Sequence, residues 1–146
     1  MKARTLFPAL LGLLVLATPA RAVEPAPDIA QRVTTFIAAA NAQDVEAMIA
    51  AAAPGIRWMS IEHDKLSVEV AGHDDLRSWL QGYFKSTPDA HSELGPITVD
   101  GHFASAVETV AYTDDKGQPA RQSSLSVYEF TGDGLIRNAW YFPAHE

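Results

Sequence analysis

The chain has 146 residues, 47% of them apolar, no cysteine, and 18 acidic against 11 basic residues, for a net charge of −7 at pH 7. That length suits one domain with its own core, and the lack of cysteine excludes both a disulfide framework and a thiol-linked lipid anchor. The acidic balance speaks against nucleic acid or an anionic membrane as partner, because either would be repelled.

Lys2 and Arg4 precede an apolar run from Leu6 to Ala17, which ends in Thr18-Pro19-Ala20-Arg21-Ala22. A basic start, a short apolar stretch and an Ala-x-Ala ending describe a secretory signal peptide over residues 1–22. The run is too short to span a bilayer comfortably, and without a twin arginine the general secretory route is expected. The expected product is periplasmic or secreted after cleavage near Ala22. Cleavage would remove three basic residues and no acidic one, leaving 8 basic and 18 acidic residues and a net charge of −10.

Residues 23–27 read as a flexible, Pro-rich leader, and residues 28–146 as a single domain. Asp28 and Gln31 have capping-box spacing. Ile29, Val33, Phe36, Ile37 and Ala40 then recur at the period of an amphipathic helix. Asn41-Ala42-Gln43 breaks that helix. Asp44 caps a second one with the stripe Val45, Met48, Ile49 and Ala52, which Pro54-Gly55 is expected to end. Short strands follow over Ile56–Ile61 and Leu66–Val70, joined by the polar turn Glu62–Lys65. In the first, Trp58 and Ser60 face one way and Arg57 and Met59 the other.

After Gly72 the period returns to 3.6, and Leu76, Trp79, Leu80, Tyr83 and Phe84 form a wide apolar stripe. A strand over His91–Val99 is interrupted by Gly95-Pro96, and others run over Phe103–Tyr112 and Arg121–Phe130. Gly132-Asp133-Gly134 turns the last of these into a terminal hairpin. By strict alternation, Ser124, Ser126 and Tyr128 share one face of its first arm. On the second arm Ile136, Asn138, Trp140 and Phe142 oppose Leu135, Arg137, Ala139 and Tyr141. The order is α, α, β, β, α and then a meander, an α+β arrangement with segregated helices.

That order, the Asn-Ala-Gln-Asp junction at 41–44 and the Phe-x-Gly-x-Gly-hydrophobic hairpin from Phe130 resemble the nuclear-transport-factor-2-like superfamily, in its SnoaL-like and ketosteroid-isomerase branch. The resemblance implies a cone: three helices in the N-terminal half packed on a strongly bent, mostly antiparallel sheet of about six strands. It also implies a deep apolar pocket and a homodimer formed through the outer sheet face. Ketosteroid isomerases use an aspartate base and an oxyanion hole of tyrosine and protonated aspartate. Along this chain the tyrosine falls at Phe36, the base at Ser60 and the neutral aspartate at Ser126. None of these side chains can fill its role, so steroid isomerisation is not expected.

Glu108 is the one carboxylate on the more apolar face of its strand, with Ala104, Ala106, Val110 and Tyr112. Two placements fit: a pocket acid/base, or a solvated residue at the mouth paired with an arginine such as Arg121. His91 on the preceding strand is a candidate proton partner for Glu108, or a strand-end histidine in water. Ser126 and Tyr128 could offer hydroxyls to a ligand, or form a half-solvated sheet face. Trp58, Trp79, Tyr83 and Trp140 could wall a flat ligand, or simply fill the core. Five scattered histidines without cysteine make no metal site, and neither a nucleophile elbow nor a phosphate loop is present; no cofactor is expected. The expected function is binding of a small apolar molecule. The alternatives are a cofactor-free isomerase, dehydratase, cyclase or hydrolase working through Glu108, and a non-catalytic structural dimer.

Overall fold

The computed structural model describes residues 27–146; the expected signal peptide and nearly all of the leader lie outside the described residues. Helix α1 spans Ile29–Asn41, and the Asp28 carboxylate accepts a 3.0 Å hydrogen bond from the Gln31 backbone N–H, one of the donors a helix start leaves unpaired. Its buried residues are Ile29, Val33, Phe36 and Ile37, the stripe set by the sequence period. Burying each of these side chains stabilises the fold by about 1.5–3 kcal/mol. Helix α2, Val45–Ala51, is capped in the same way by Asp44, which accepts from the Ala47 N–H at 2.9 Å. Gly72, at φ 87°, starts α3, His73–Ser86, which buries Leu76, Leu80 and Phe84.

The strands are β1 Ala52–Glu62, β2 Lys65–Ala71, β3 His91–Leu94, β4 Thr98–Asp100, β5 Phe103–Thr113, β6 Pro119–Phe130 and β7 Ile136–Tyr141. They form one sheet in the order β2-β1-β7-β6-β5-β3, with β4 also on β5. All pairings are antiparallel except β1 with β7, which is parallel. Gly95-Pro96 splits the expected His91–Val99 strand into β3 and β4, and the Gly95 N–H still reaches the Val107 carbonyl at 2.8 Å.

Two sequence expectations are corrected, one a boundary and one a strand parity. Helix α2 ends at Ala51, before Pro54-Gly55, because Ala52 already pairs with Ile136. The proline, with no N–H to give, then sits within the register irregularity between Ala52 and Arg57. The alternation read for the last strand also fails. Glu129 pairs with Asn138 but Phe130 pairs with Ile136, so Arg137 is an extra residue on β7. Past this bulge the faces exchange: Ile136, Ala139 and Tyr141 share the helix-covered face, and Trp140 turns outward opposite Val127.

One side chain joins helix to sheet. Asn41, the last residue of α1, donates from Nδ2 to the Ser92 carbonyl at 2.9 Å and accepts from the Ser92 N–H at 2.7 Å. The amide thus behaves as a strand neighbour for the exposed edge of β3. Asn41→Ala should lower stability by about 2 kcal/mol, since both partly buried bonds are lost; Asp44→Ala, which removes a helix cap, should cost about 1 kcal/mol. Urea denaturation of each variant checks both, and an unchanged midpoint would contradict the assignment.

Candidate functional site

Between the helices and the covered face of the sheet lies a cavity of about 370 Å³, within the range of small-molecule sites. Its aromatic wall draws on three elements. Tyr141 of β7 stacks flat on Trp58 of β1, with ring centroids 5.1 Å apart and planes within 1°. Trp79 of α3 follows at 5.3 Å from Trp58, and Tyr83 lies at 5.3 Å from Trp79, tilted by 7°. Phe36 of α1 lies 6.1 Å from Trp58. The bulky aromatics do meet inside, and the cavity remains open beside them.

Glu108 is 6% exposed and faces this cavity from β5. The Tyr141 hydroxyl donates to its Oε2 at 3.0 Å, and the Tyr128 hydroxyl lies 2.8 Å from that of Tyr141 and 3.5 Å from the same carboxylate oxygen. The distances favour a chain in which Tyr128 donates to Tyr141 and Tyr141 to Glu108. Oε1 takes no hydrogen bond among the described residues. Burial pushes both phenols upward, and the neighbouring Glu108 charge pushes them further. Tyr83, half-buried, is raised for the same two reasons, with a hydrogen bond from Thr87 working the other way. The tyrosines are therefore hydrogen-bond donors, held protonated.

Phe36, Trp58, Ser60, Trp79, Tyr83 and Glu108, all singled out by sequence, line the cavity. Ser60 donates to Glu69 at 2.6 Å. The remaining candidates do not line it. Tyr128 is fully buried and reaches Glu108 from behind Tyr141, while Ser126 is spent on the Ala106 carbonyl at 3.2 Å. Tyr112 stands near the far end of β5, and Trp140 is on the outer face because of the bulge.

His91 is not a partner for Glu108. It pairs with Ala111, whereas Glu108 pairs with Leu94, and this odd offset puts the two side chains on opposite faces. Arg121 does not pair with Glu108 either; its guanidinium holds Glu93 at 3.0 Å. Tyr141 is the site residue that sequence missed. Its signal was an aromatic-rich hairpin arm, misassigned by one residue. Among the described residues no group of three His, Asp or Glu side chains converges as a metal site requires, and no helix is long and apolar enough to cross a membrane.

The model of the SnoaL-like domain family matches residues 33–139. Among solved structures the chain is similar to an uncharacterised cystatin-fold protein from Novosphingobium aromaticivorans, with 23% identity, TM-score 0.67 and coverage of 79% of this chain and 97% of that one. It is similar to a candidate SnoaL-like polyketide cyclase from Jannaschia sp., with 16% identity, TM-score 0.68 and coverage of 84% and 90%. A third likeness is to SalBIII, an epoxide hydrolase/cyclase-like enzyme of pyran ring formation in salinomycin, with 15% identity, TM-score 0.67 and coverage of 78% and 88%. At these identities the likeness concerns the fold. No curated protein matches the chain.

The phenols make stability depend on alkaline pH. A group whose folded value is raised gives stability that is complete below its unfolded value, here the ordinary phenol value of 10.0, and is lost as pH climbs above it. The unfolding free energy should therefore fall as pH rises past about 10, and the fall should be shallower in Tyr141→Phe. Denaturation midpoints across that pH range measure both.

Proposed function

Because the chain belongs to the SnoaL-like family, we propose that it is an exported protein that binds a small, mostly apolar molecule in the cavity beside Glu108. The observation that carries this reading is the junction of an open, aromatic-walled space with a single buried carboxylate, itself held by tyrosine hydroxyls. Stacked rings offer a flat ligand large contact area at small entropic cost, and one fixed polar group sets its orientation. Steroid isomerase chemistry is not part of the proposal. Phe36 packs on Trp58, Ser60 bonds Glu69 and Ser126 bonds backbone, so none of the three supplies an acid or base.

A second reading is cofactor-free proton transfer by Glu108, in an isomerisation, dehydration, cyclisation or hydrolysis. It rests on the free Oε1, which can accept a proton from a bound molecule while Tyr141 steadies Oε2.

The reading includes a homodimer. Val68, Met59, Trp140 and Val127 are register neighbours across the outer face of β2, β1, β7 and β6, and Val107 and Leu125 pair on the same face of β5 and β6. Val107 is 45% exposed and Phe103, further along β5, 46%. An apolar face of this kind is suited to a second copy.

Native mass spectrometry of the protein recovered from its own host tests these parts together. The expected species is a dimer of chains lacking residues 1–22 that releases an apolar metabolite on extraction. A monomer would remove the dimer, and a full-length chain would remove export. Ala40→Trp, which places an indole from α1 into the cavity, should abolish uptake of an apolar fluorescent dye while leaving the far-ultraviolet dichroism unchanged. Undiminished uptake would locate binding elsewhere.

A further inference from the structure

Among the described residues, the charged side chains lining the cavity are three carboxylates, Glu108 in the wall and the exposed Glu62 and Glu69 at the rim, with no lysine, arginine or histidine beside them. Among the described residues none of the three forms an ion pair. The ion pairs among the described residues are Arg77–Glu46, Arg121–Glu93 and Arg137–Glu129, all elsewhere. Lys65 is the register partner of Glu62 across the β1–β2 turn yet forms no ion pair with it. Among the described residues the Glu69 side chain is bonded by the neutral Ser60 hydroxyl alone. Of the two oxygens of the buried Glu108, Oε2 is occupied by phenols and Oε1 is left to the cavity.

The aromatic wall carries no formal charge. Tyr141 and Trp58, and Trp79 and Tyr83, are near-parallel pairs that each turn a face toward the other, and Trp58 meets Trp79 at a 33° tilt, so the wall offers a ligand apolar contact area. An anion entering this space meets three carboxylates and no cation among the described residues. A neutral molecule gains contact area and can give Oε1 at most a neutral hydrogen bond, which leaves the carboxylate charge uncompensated. A cationic nitrogen both satisfies Oε1 and complements the charge of the carboxylates around it.

We propose that the ligand of this cavity is an organic cation, a protonated amine or quaternary ammonium carried on an aromatic or alkyl body. The proposal rests on the cavity-binding reading above and names the ligand class for it. The acidic rim and the negative net charge of the chain draw such a molecule toward the opening.

Three probes of matched size separate the possibilities at neutral pH: phenethylammonium, phenethyl alcohol and hydrocinnamate. Quenching of tryptophan fluorescence and titration calorimetry read their affinities, with the neutral dye N-phenylnaphthylamine as an independent probe of the cavity. The expected order is ammonium, then alcohol, then carboxylate, with the ammonium favoured over the alcohol by about tenfold or more. Glu108→Gln, which keeps the shape and removes the charge, should erase most of that preference. Glu69→Gln at the exposed rim, where folding is not at stake, should reduce it by a smaller factor. Equal binding of ammonium and alcohol with dye uptake intact would overturn the cation and leave the cavity reading standing. Failure of all four probes, dye included, would overturn both.

Discussion

The parallel pairing of β1 with β7 is the constraint on which the interior depends. Parallel neighbours cannot be joined by a tight turn, and here the two strands lie at opposite ends of the domain in sequence. Their register places Trp58 beside Ala139 and Ser60 beside Tyr141. That single alignment brings Trp58 onto the ring of Tyr141 and makes one sheet of the β1–β2 hairpin and the C-terminal meander. Helices α1 and α3 then cover a face already continuous from β2 to β3. A slip of one residue along β7 would turn Tyr141 outward and leave Glu108 without its closest donor.

Glu108 shows what this arrangement has to manage. A carboxylate so far from water is costly unless its lone pairs are met. The usual remedy is a guanidinium, and Arg121 on the adjacent strand looks available. It sits opposite Ala111, on the outward parity of β5, and is taken by Glu93. The fold uses phenols instead. Tyr141 reaches Oε2 across β6, and Tyr128, wholly buried, supports Tyr141 from behind. Hydroxyl donors stabilise the carboxylate without cancelling its charge, so the wall keeps a negative pole that an arginine would have extinguished.

The residues that were legible in sequence are those whose positions follow from local rules. Asp28 and Asp44 cap their helices because a short acceptor before an amphipathic stripe has few other uses. The stripes of α1 and α3 and the parity of β5, which put Glu108 on the covered face, follow from the periods 3.6 and 2. The failures are long-range. Strand adjacency alone points to His91 as a neighbour of Glu108, yet the β3–β5 register places it on the other face. Trp140 and Tyr141 exchanged roles because one extra residue, Arg137, entered β7, and an arginine in a strand advertises no bulge. Asn41 read as a helix breaker; its bidentate bond to Ser92 spans 51 positions and has no local signature.

The same contrast explains why the interior is not simply filled. Toward the hairpin, the covered face carries Tyr128, Phe130 and Ile136 in one buried cluster with Phe36 and Val33. Along the cavity the inward positions include Ala40 on α1, Ser60 on β1, Ser92 on β3 and Ser124 on β6. These side chains are too short to reach across a space bounded by three helices and a curled sheet. Large residues at those four points would make a sounder core, because close packing of apolar groups is the cheaper way to stabilise a domain of this size. Small residues there, around a buried carboxylate with one oxygen left open, exchange stability for room. Residues that break the packing rule together, and at one place, mark where the fold yields to a ligand.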